Sequence, residues 1–334
     1  MTTVDITIGV PVYKTTAEQI QPLLRSLDLQ QLTSYEIIFL LDGLDGLSED
    51  LLCIIENVKN ARVIRQEHAG EAVARNRIIV EARGEWLVFC DADDYVLKGG
   101  IKSLYSFAIE HNSDVVFSNH IRVYGNKCKQ IEYFKNNVAN SMEDSIRAIL
   151  SLGADQGTVW GKIFKLSFIK DNDLYFNPSL KNGVDQEFMT RVIAANPAAT
   201  AVNAYTYAYV YNVNSVVRKF DDKYAERVNQ TINIISSNLN VNFNQSIPSY
   251  FLIYLYDRFL LILVNYICAG KNVSYREMKD RFLRVRDMPF FSILFEHSLK
   301  HVNVIHYCIF SCARRRFFFF LLIAVKFRNF MRFS

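Results

Sequence analysis

Apolar residues recur along this chain in two alternating rhythms. Ile6-Thr-Ile-Gly-Val-Pro-Val-Tyr13 is a β-rich run closed by polar residues, whereas Ile20, Leu23, Leu24 and Leu27 follow the i, i+3, i+4, i+7 spacing of a one-faced helix. Between them, Thr15-x-x-Glu18 has the form of a capping box. Glu36–Leu41 is again a run of strand length. Leu51, Leu52, Ile55 and Val58 share a helix face, Val63-Ile64 is a short strand, and residues 71–82 read as helix. Trp86–Cys90 is a wholly apolar strand, followed by a helix over about 98–111 and a strand at Asp114–Ser118. This alternation predicts an α/β fold: a Rossmann-like, mostly parallel sheet with helices on both faces. Such sheets bind ligands at the carboxyl ends of their strands. Tyr13, Asp42 and Asp91–Asp94 each follow a strand directly and so are expected on one rim.

Residues 119–218 are less regular, with short strands and helices near 142–151 and 185–195. Beyond Asp221 the pattern is almost wholly helical. The expected organisation is a first domain over 1–218, in halves 1–118 and 119–218, and a helical C-terminal region over 219–334. With 50% hydrophobic and 22% charged residues, the chain has too much apolar surface to stay disordered. The six cysteines form no CxxC pair, so reduced thiols are expected rather than a zinc site or disulfide framework. Met1-Thr-Thr-Val-Asp5 lacks a signal-peptide pattern. Phe317–Val325 is too short to cross a bilayer, and Phe251–Ala269 is interrupted by Asp257-Arg258, so no transmembrane helix is expected.

Charge redraws the C-terminus. The net charge is +4, yet residues 300–334 alone hold seven Lys/Arg and no acid, which leaves a slightly acidic body. Basic groups confined to one end do not make a nucleic-acid-binding face, and no nucleic-acid partner is expected.

Four clusters could carry chemistry. Asp91-Ala-Asp93-Asp94 puts three mutually repelling carboxylates at a strand end, where a hard divalent cation would compensate them. The competing reading is that they cap the next helix. Asp42-Gly43 offers a carboxylate to a base or ribose, or makes a plain Asp-Gly turn. Gly70-Glu-Ala-Val-Ala-Arg75-Asn76 enters a helix with an Arg one turn in, which suits a phosphate or a solvated surface. Gly183-Val-Asp185-Gln-Glu187 sets two carboxylates at a helix start, as a cap or a general base. GxGxxG after the first strand, GxxxxGK[ST], HExxH and GxSxG are all missing, which removes support for dehydrogenase, P-loop, zinc-protease and α/β-hydrolase readings.

Taken in order, these segments resemble the family 2 glycosyltransferases, inverting enzymes of GT-A fold. The resemblance rests on Ile8-Gly-Val-Pro11-Val-Tyr13, Glu36-Ile-Ile-Phe-Leu-Leu-Asp42-Gly43, Val63–Gly70 with Ala74-Arg75-Asn76, Gly84–Asp94, Val159-Trp160-Gly-Lys162 and Gly183-Val-Asp185-Gln-Glu187-Phe188. The helical remainder looks most like bacterial enzymes of lipooligosaccharide, O-antigen or capsule synthesis. The resemblance implies a UDP-sugar donor bound by Pro11, Tyr13, Asp42, Gly70, Arg75, Asn76, Asp91, Ala92 and Asp93. It further implies Mn²⁺ or Mg²⁺ on Asp91 and Asp93, Asp185 as catalytic base, and Asp94, Trp160, Lys162 and Glu187 on the acceptor side. Residues 1–118 would then be the nucleotide-sugar half and 119–218 the acceptor half. Leu41, Leu44 and Val184 replace residues usual in the family, and the tyrosine-rich stretch Tyr207–Ser215 lacks the usual His. A non-catalytic relative with a decayed site is the alternative.

The acceptor is expected to be an oligosaccharide or a lipid-linked glycan. Nine aromatics and seven cations in residues 300–334 suit a segment lying in a membrane interface, or else a helix packed on its own domain. The first reading implies a cytoplasmic protein held peripherally at the inner leaflet of the plasma membrane.

Overall fold

A computed structural model describes residues 4–333 except 140, 154, 212–220, 244, 271 and 301. The chain divides into two compact units, residues 1–149 with 154–212, and residues 150–153 with 213–334. The boundary expected at 218/219 lies outside the described residues.

In the first unit, β1 (Val4–Val12), β2 (Tyr35–Asp42), β3 (Ala61–Gln66) and β4 (Gly84–Phe89) pair in the order β3-β2-β1-β4, all parallel. They are joined through α1 (Ala17–Leu27), α2 (Glu49–Glu56) and α3 (Glu71–Glu81). The strands read as continuous apolar runs because both faces are covered. Ile37, Phe39 and Leu41 share one core with Ile20 and Leu23 of α1 and Leu51 and Ile55 of α2. Toward the other face, a Cβ on Gly9 would lie 2.4 Å from Ile78 of α3, so β1 needs glycine there. Buried Glu36 ties β1, β2 and β4 together, accepting from Thr7 Oγ1 at 2.8 Å, Arg83 N–H at 2.8 Å and Arg62 Nε at 2.9 Å.

Beyond β4 the sheet becomes mixed. β5 (Tyr95–Val96), α4 (Gly100–Glu110), β6 (Val115–Tyr124), β7 (Lys127–Ile131), β8 (Val138–Ala139) and α5 (Met142–Ile149) come first in the chain. β9 (Lys162–Lys165), α6 (Leu166–Asp171), α7 (Val184–Ala194) and β10 (Ala199–Val210) complete the unit. β9 lies antiparallel between β4 and β6, while β6 and β10 run parallel. β5 and β8 pair antiparallel with β10, and β7 with β6. The parallel pattern therefore describes the first half, and antiparallel pairings dominate the second.

Two local expectations shift. The capping box of α1 is Thr16 with Gln19, not Thr15 with Glu18: Thr16 Oγ1 accepts from Gln19 N–H at 3.2 Å, and Gln19 Oε1 accepts from Thr16 N–H at 2.9 Å. Helix α4 starts only at Gly100, after Gly99 in the left-handed region, so Asp91–Asp94 do not cap it.

The regular elements of the second unit are all helices among its described residues. It contains α8 (Tyr224–Asn238), α9 (Ser249–Ile262), α10 (Tyr275–Arg286), α11 (Pro289–Glu296), α12 (Val304–Arg314) and α13 (Phe318–Phe333). A π-helical turn extends α9 to Ile267. Phe259 of α9 meets the edges or faces of Phe282, Phe291 and Phe295 at 6.4, 5.9 and 5.1 Å between ring centres. One helix among the described residues, Ser249–Ile267, is long and apolar enough to cross a membrane by length and composition alone. Asp257 and Arg258 interrupt its sequence but pair with each other. Phe251, Tyr254, Leu255, Phe259 and Ile262 of this helix are fully buried in the unit, which makes it a core helix.

Candidate active site

The parallel strands deliver Tyr13, Asp42 and Asp91 to one rim, as their positions after β1, β2 and β4 require. Asp42 is 2% exposed and saturated by its own chain. Gln66 Nε2, the Ala69 and Gly70 N–H groups and His68 Nδ1 lie 2.8–2.9 Å from its two oxygens. Burial pulls the Asp42 pKa up, but these donors outweigh it and hold the carboxylate below its ordinary range. Gly70 adopts φ +93°, which delivers its N–H to Asp42 and opens α3 behind it. His68 stacks flat on Tyr13, with ring centres 4.2 Å apart and an interplanar angle of 7°. Sequence reasoning missed His68. The available signal was its place in the short loop between β3 and α3, on the predicted rim.

Arg75 is the hub. It is 1% exposed, one turn into α3, and its guanidinium reaches three carboxylates: Glu71 at 2.5 Å, Asp91 at 3.0 Å and Asp185. It thereby joins the end of β4 to the start of α7, residues far apart in sequence. Asp185 also accepts from Val159 N–H at 3.2 Å. One cation does not balance this group. Burial first, then Glu71 and Asp91, push the Asp185 pKa up to about 7 against the pull of Arg75. Asp91 rises to about 6, through burial against Arg75, with Glu71 and Asp93 adding repulsion. Asp93 is exposed, and partial desolvation raises its pKa too. Ala92 between them is buried and packs into the core.

Asp94 departs from its expected acceptor-side role. It is 1% exposed and accepts from Tyr207 Oη at 2.9 Å and Val210 N–H at 2.7 Å, which fastens the 91–94 turn to β10. Tyr207 Oη in turn accepts from Asp91 N–H at 3.0 Å. Asn76 is likewise occupied. It brackets the Phe176 backbone, donating to its C=O at 2.8 Å and accepting its N–H at 2.7 Å, and so clamps the chain there. Glu187 is 2% exposed and closed by Arg191 at 2.7 and 3.0 Å within α7. All three are polar groups, Asp94 and Glu187 buried and Asn76 half-buried, whose partners a linear sequence does not reveal.

Pro11, half-buried, closes β1 opposite Leu40. Trp160 is 4% exposed and lies parallel to Tyr207 and Tyr209, with ring centres 4.8 and 5.7 Å away. Lys162 is 1% exposed, and its closest acceptor is the Trp160 carbonyl at 3.4 Å. Burial pushes its pKa down to about 7 despite the attraction of Asp185 and Asp155. Among the described residues, no group of three or more His, Cys, Asp or Glu is arranged to hold a metal ion. Residues 212–215 of the tyrosine-rich stretch lie outside the described residues.

Residues 7–153 match the model of the family described as Glycosyl transferase family 2. The chain is 27% identical over 234 residues to the putative glycosyltransferase EpsH of Bacillus subtilis, covering 68% of this chain and 66% of the relative. It is 31% identical over 205 residues to the poly(ribitol-phosphate) beta-N-acetylglucosaminyltransferase TarS of Staphylococcus aureus, covering 60% of this chain but 34% of that protein. Both alignments thus span less than two thirds of the relative. The crystal structure of S. aureus TarS 1-349 in complex with UDP-GlcNAc superimposes with a TM-score of 0.68, at 20% identity, covering 98% of this chain and 92% of that one. That likeness extends the GT-A fold, with its C-terminal helical region, over the described chain.

Proposed function

We propose that this chain, whose residues 7–153 match the model of glycosyl transferase family 2, moves a hexose from a UDP-sugar to a hydroxyl of a growing bacterial surface glycan, with inversion at the anomeric carbon. The observation that carries this reading is Arg75. Its single guanidinium touches both Asp91 and Asp185, so a leaving-group site and a base lie a few ångströms apart on one rim. One relative supports the class: TarS is named as a sugar transferase, and its crystal structure holds UDP-GlcNAc.

The donor set suits Mn²⁺ or Mg²⁺. Asp91 and Asp93 are hard oxygen ligands whose pKa values are raised, first of all by desolvation. Two carboxylates completed by substrate phosphates are a usual way to bind such an ion. When bound, the ion supplies Lewis-acid stabilisation to the departing diphosphate. The chain's own residues do the rest. Tyr13 and His68 offer flat faces to the uracil, and Asp42 fixes the loop that carries His68. Asp185, with a pKa near 7, takes the proton of the acceptor hydroxyl. The freed oxygen attacks the anomeric carbon, and the bond to the diphosphate oxygen breaks with its electron pair on that oxygen. Arg75 holds Asp185 in place and offsets part of its charge. The carboxylates at 91, 93 and 185 set this reading above a decayed binding relative.

A panel of UDP-sugars with Mn²⁺ tests it. One UDP-sugar should protect the protein against thermal unfolding and release UDP when an acceptor glycan is added, and EDTA should stop the release. Protection without release for every acceptor would favour the non-catalytic relative.

A further inference from the structure

Helices α12 and α13 have two faces. Ile309, Phe310, Ala313, Phe318, Leu321 and Val325 are buried, at 5% exposure or less. On α13, Phe319, Phe320, Ile323 and Phe327 form the opposite stripe, each at least 50% exposed. Val304, Tyr307 and Phe317 extend the apolar surface onto α12 and the joint. Every exposed phenylalanine among the described residues lies between 317 and 327. A segment packed only to complete its own domain has no use for that stripe.

Charge identifies the occupant. Arg314, Arg315 and Arg316 are exposed where α12 meets α13, and Lys326 is exposed beside Phe327. Residues 300–334 contain no acid. A second copy of the chain would set cations against cations across a two-fold contact. An anionic bilayer offers acyl surface to the aromatics and phosphate to the cations. A cavity of about 340 Å³ lies at the joint, lined among others by Leu299, Tyr307, Phe310, Ser311, Arg314 and Arg315. Its lining pairs apolar wall with two guanidinium side chains and a hydroxyl, the combination a phosphodiester headgroup and its glycerol need.

We infer that the exposed face of α12 and α13 docks on an anionic phospholipid surface, and that the cavity at their joint receives a lipid phosphate. One apolar face of α13 packs on its own unit and the other is exposed, so on this inference the packed and interfacial readings apply to different sides. Such docking would hold the enzyme peripherally at a membrane.

Cosedimentation of the full chain with vesicles tests this. It should bind phosphatidylcholine vesicles containing phosphatidylglycerol far better than pure phosphatidylcholine, and salt should weaken it. Arg314→Gln with Arg315→Gln should weaken binding about 30-fold, from the attraction of each cation to an anionic surface. Phe319→Ser with Phe320→Ser should weaken it at least about tenfold. Both variants should keep UDP-sugar protection against unfolding, which separates failure here from failure of the proposed reaction. If the Phe variant does not fold, the Arg variant carries the test. Equal binding to both vesicle types would overturn the proposal. So would thermal protection by glycerol phosphate without vesicle binding, which marks a free-phosphate site. A concentration-dependent dimer abolished by the Phe variant, again without vesicle binding, would assign the stripe to a second copy.

Discussion

The two units break the usual sorting of residues in opposite directions. The sheet unit buries charge: Arg75, Asp94 and Lys162 are 1% exposed, and Asp42 and Glu187 2%. Among the described charged residues of the helical unit, only Arg281 is buried, at 7% exposure, while seven large apolar side chains of α12, α13 and their joint stand at least half exposed. The difference teaches that burial alone does not mark a site. Glu36, Asp42 and Glu187 are buried and fully partnered, and they hold strands and turns together. Half-buried Asp91 and Asp185 and buried Lys162 have too little compensation, and their pKa values move toward neutrality. Likewise, exposed apolar residues of the sheet unit such as Leu29, Val80 and Ile109 are scattered, whereas those of α13 form one stripe.

The sharpest way to break this contrast is to remove the cation. Arg75→Ala should destabilise the sheet unit by about 3 kcal/mol, because it removes a buried cation and leaves half-buried carboxylates without a counter-charge. Urea unfolding would measure the loss, and the loss should shrink toward about pH 5 as Asp91 and Asp185 take up protons. Asp93→Ala should lower transfer about 10²–10³-fold, on the scale of losing one electrostatic contact to the leaving group. It should leave the melting temperature of the unliganded protein unchanged or raised, since the residue is exposed and repelled by its neighbours. Asp185→Asn should stabilise the protein by about 1–3 kcal/mol near pH 8. The sign follows from its pKa: about 7 when folded against an ordinary 3.8, so the folded state holds the extra proton between these values, and stability falls as pH rises from about 4 to about 7. At about pH 4 the gain should vanish. Smallest of all, Phe319→Ser should change stability by less than about 0.5 kcal/mol, as expected of an exposed position, where the same change at buried Phe318 would be costly.

The sheet was legible because its strands are buried on both faces and read as apolar runs between helix-period segments. Strand ends then located Tyr13, Asp42 and Asp91 without further information. β9 was not legible as an antiparallel insertion, because four residues, Lys162–Lys165, carry no sign of direction. Thr15 and Thr16 each have a capping partner three residues on, and only backbone geometry chooses between them. Asp94, Asn76 and Glu187 belong to the same motifs as Asp91, Arg75 and Asp185. Each is separated from the site by a partner distant in sequence (Tyr207, Phe176) or one helical turn away (Arg191). His68 was missed for the converse reason: a lone His in a loop acquires meaning only when Tyr13 lies against it.

The central claim is that Asp185, tied to Asp91 through Arg75, acts on the acceptor rather than on the donor. Asp185→Asn, assayed for transfer and for UDP-sugar binding in the same preparation, tests it directly. Transfer should fall about 10²–10⁴-fold, the usual worth of general base catalysis, while the donor dissociation constant stays within about threefold of the unmodified protein, a difference below about 1 kcal/mol. Transfer that persists while donor binding collapses would contradict the account and move Asp185 to the donor side.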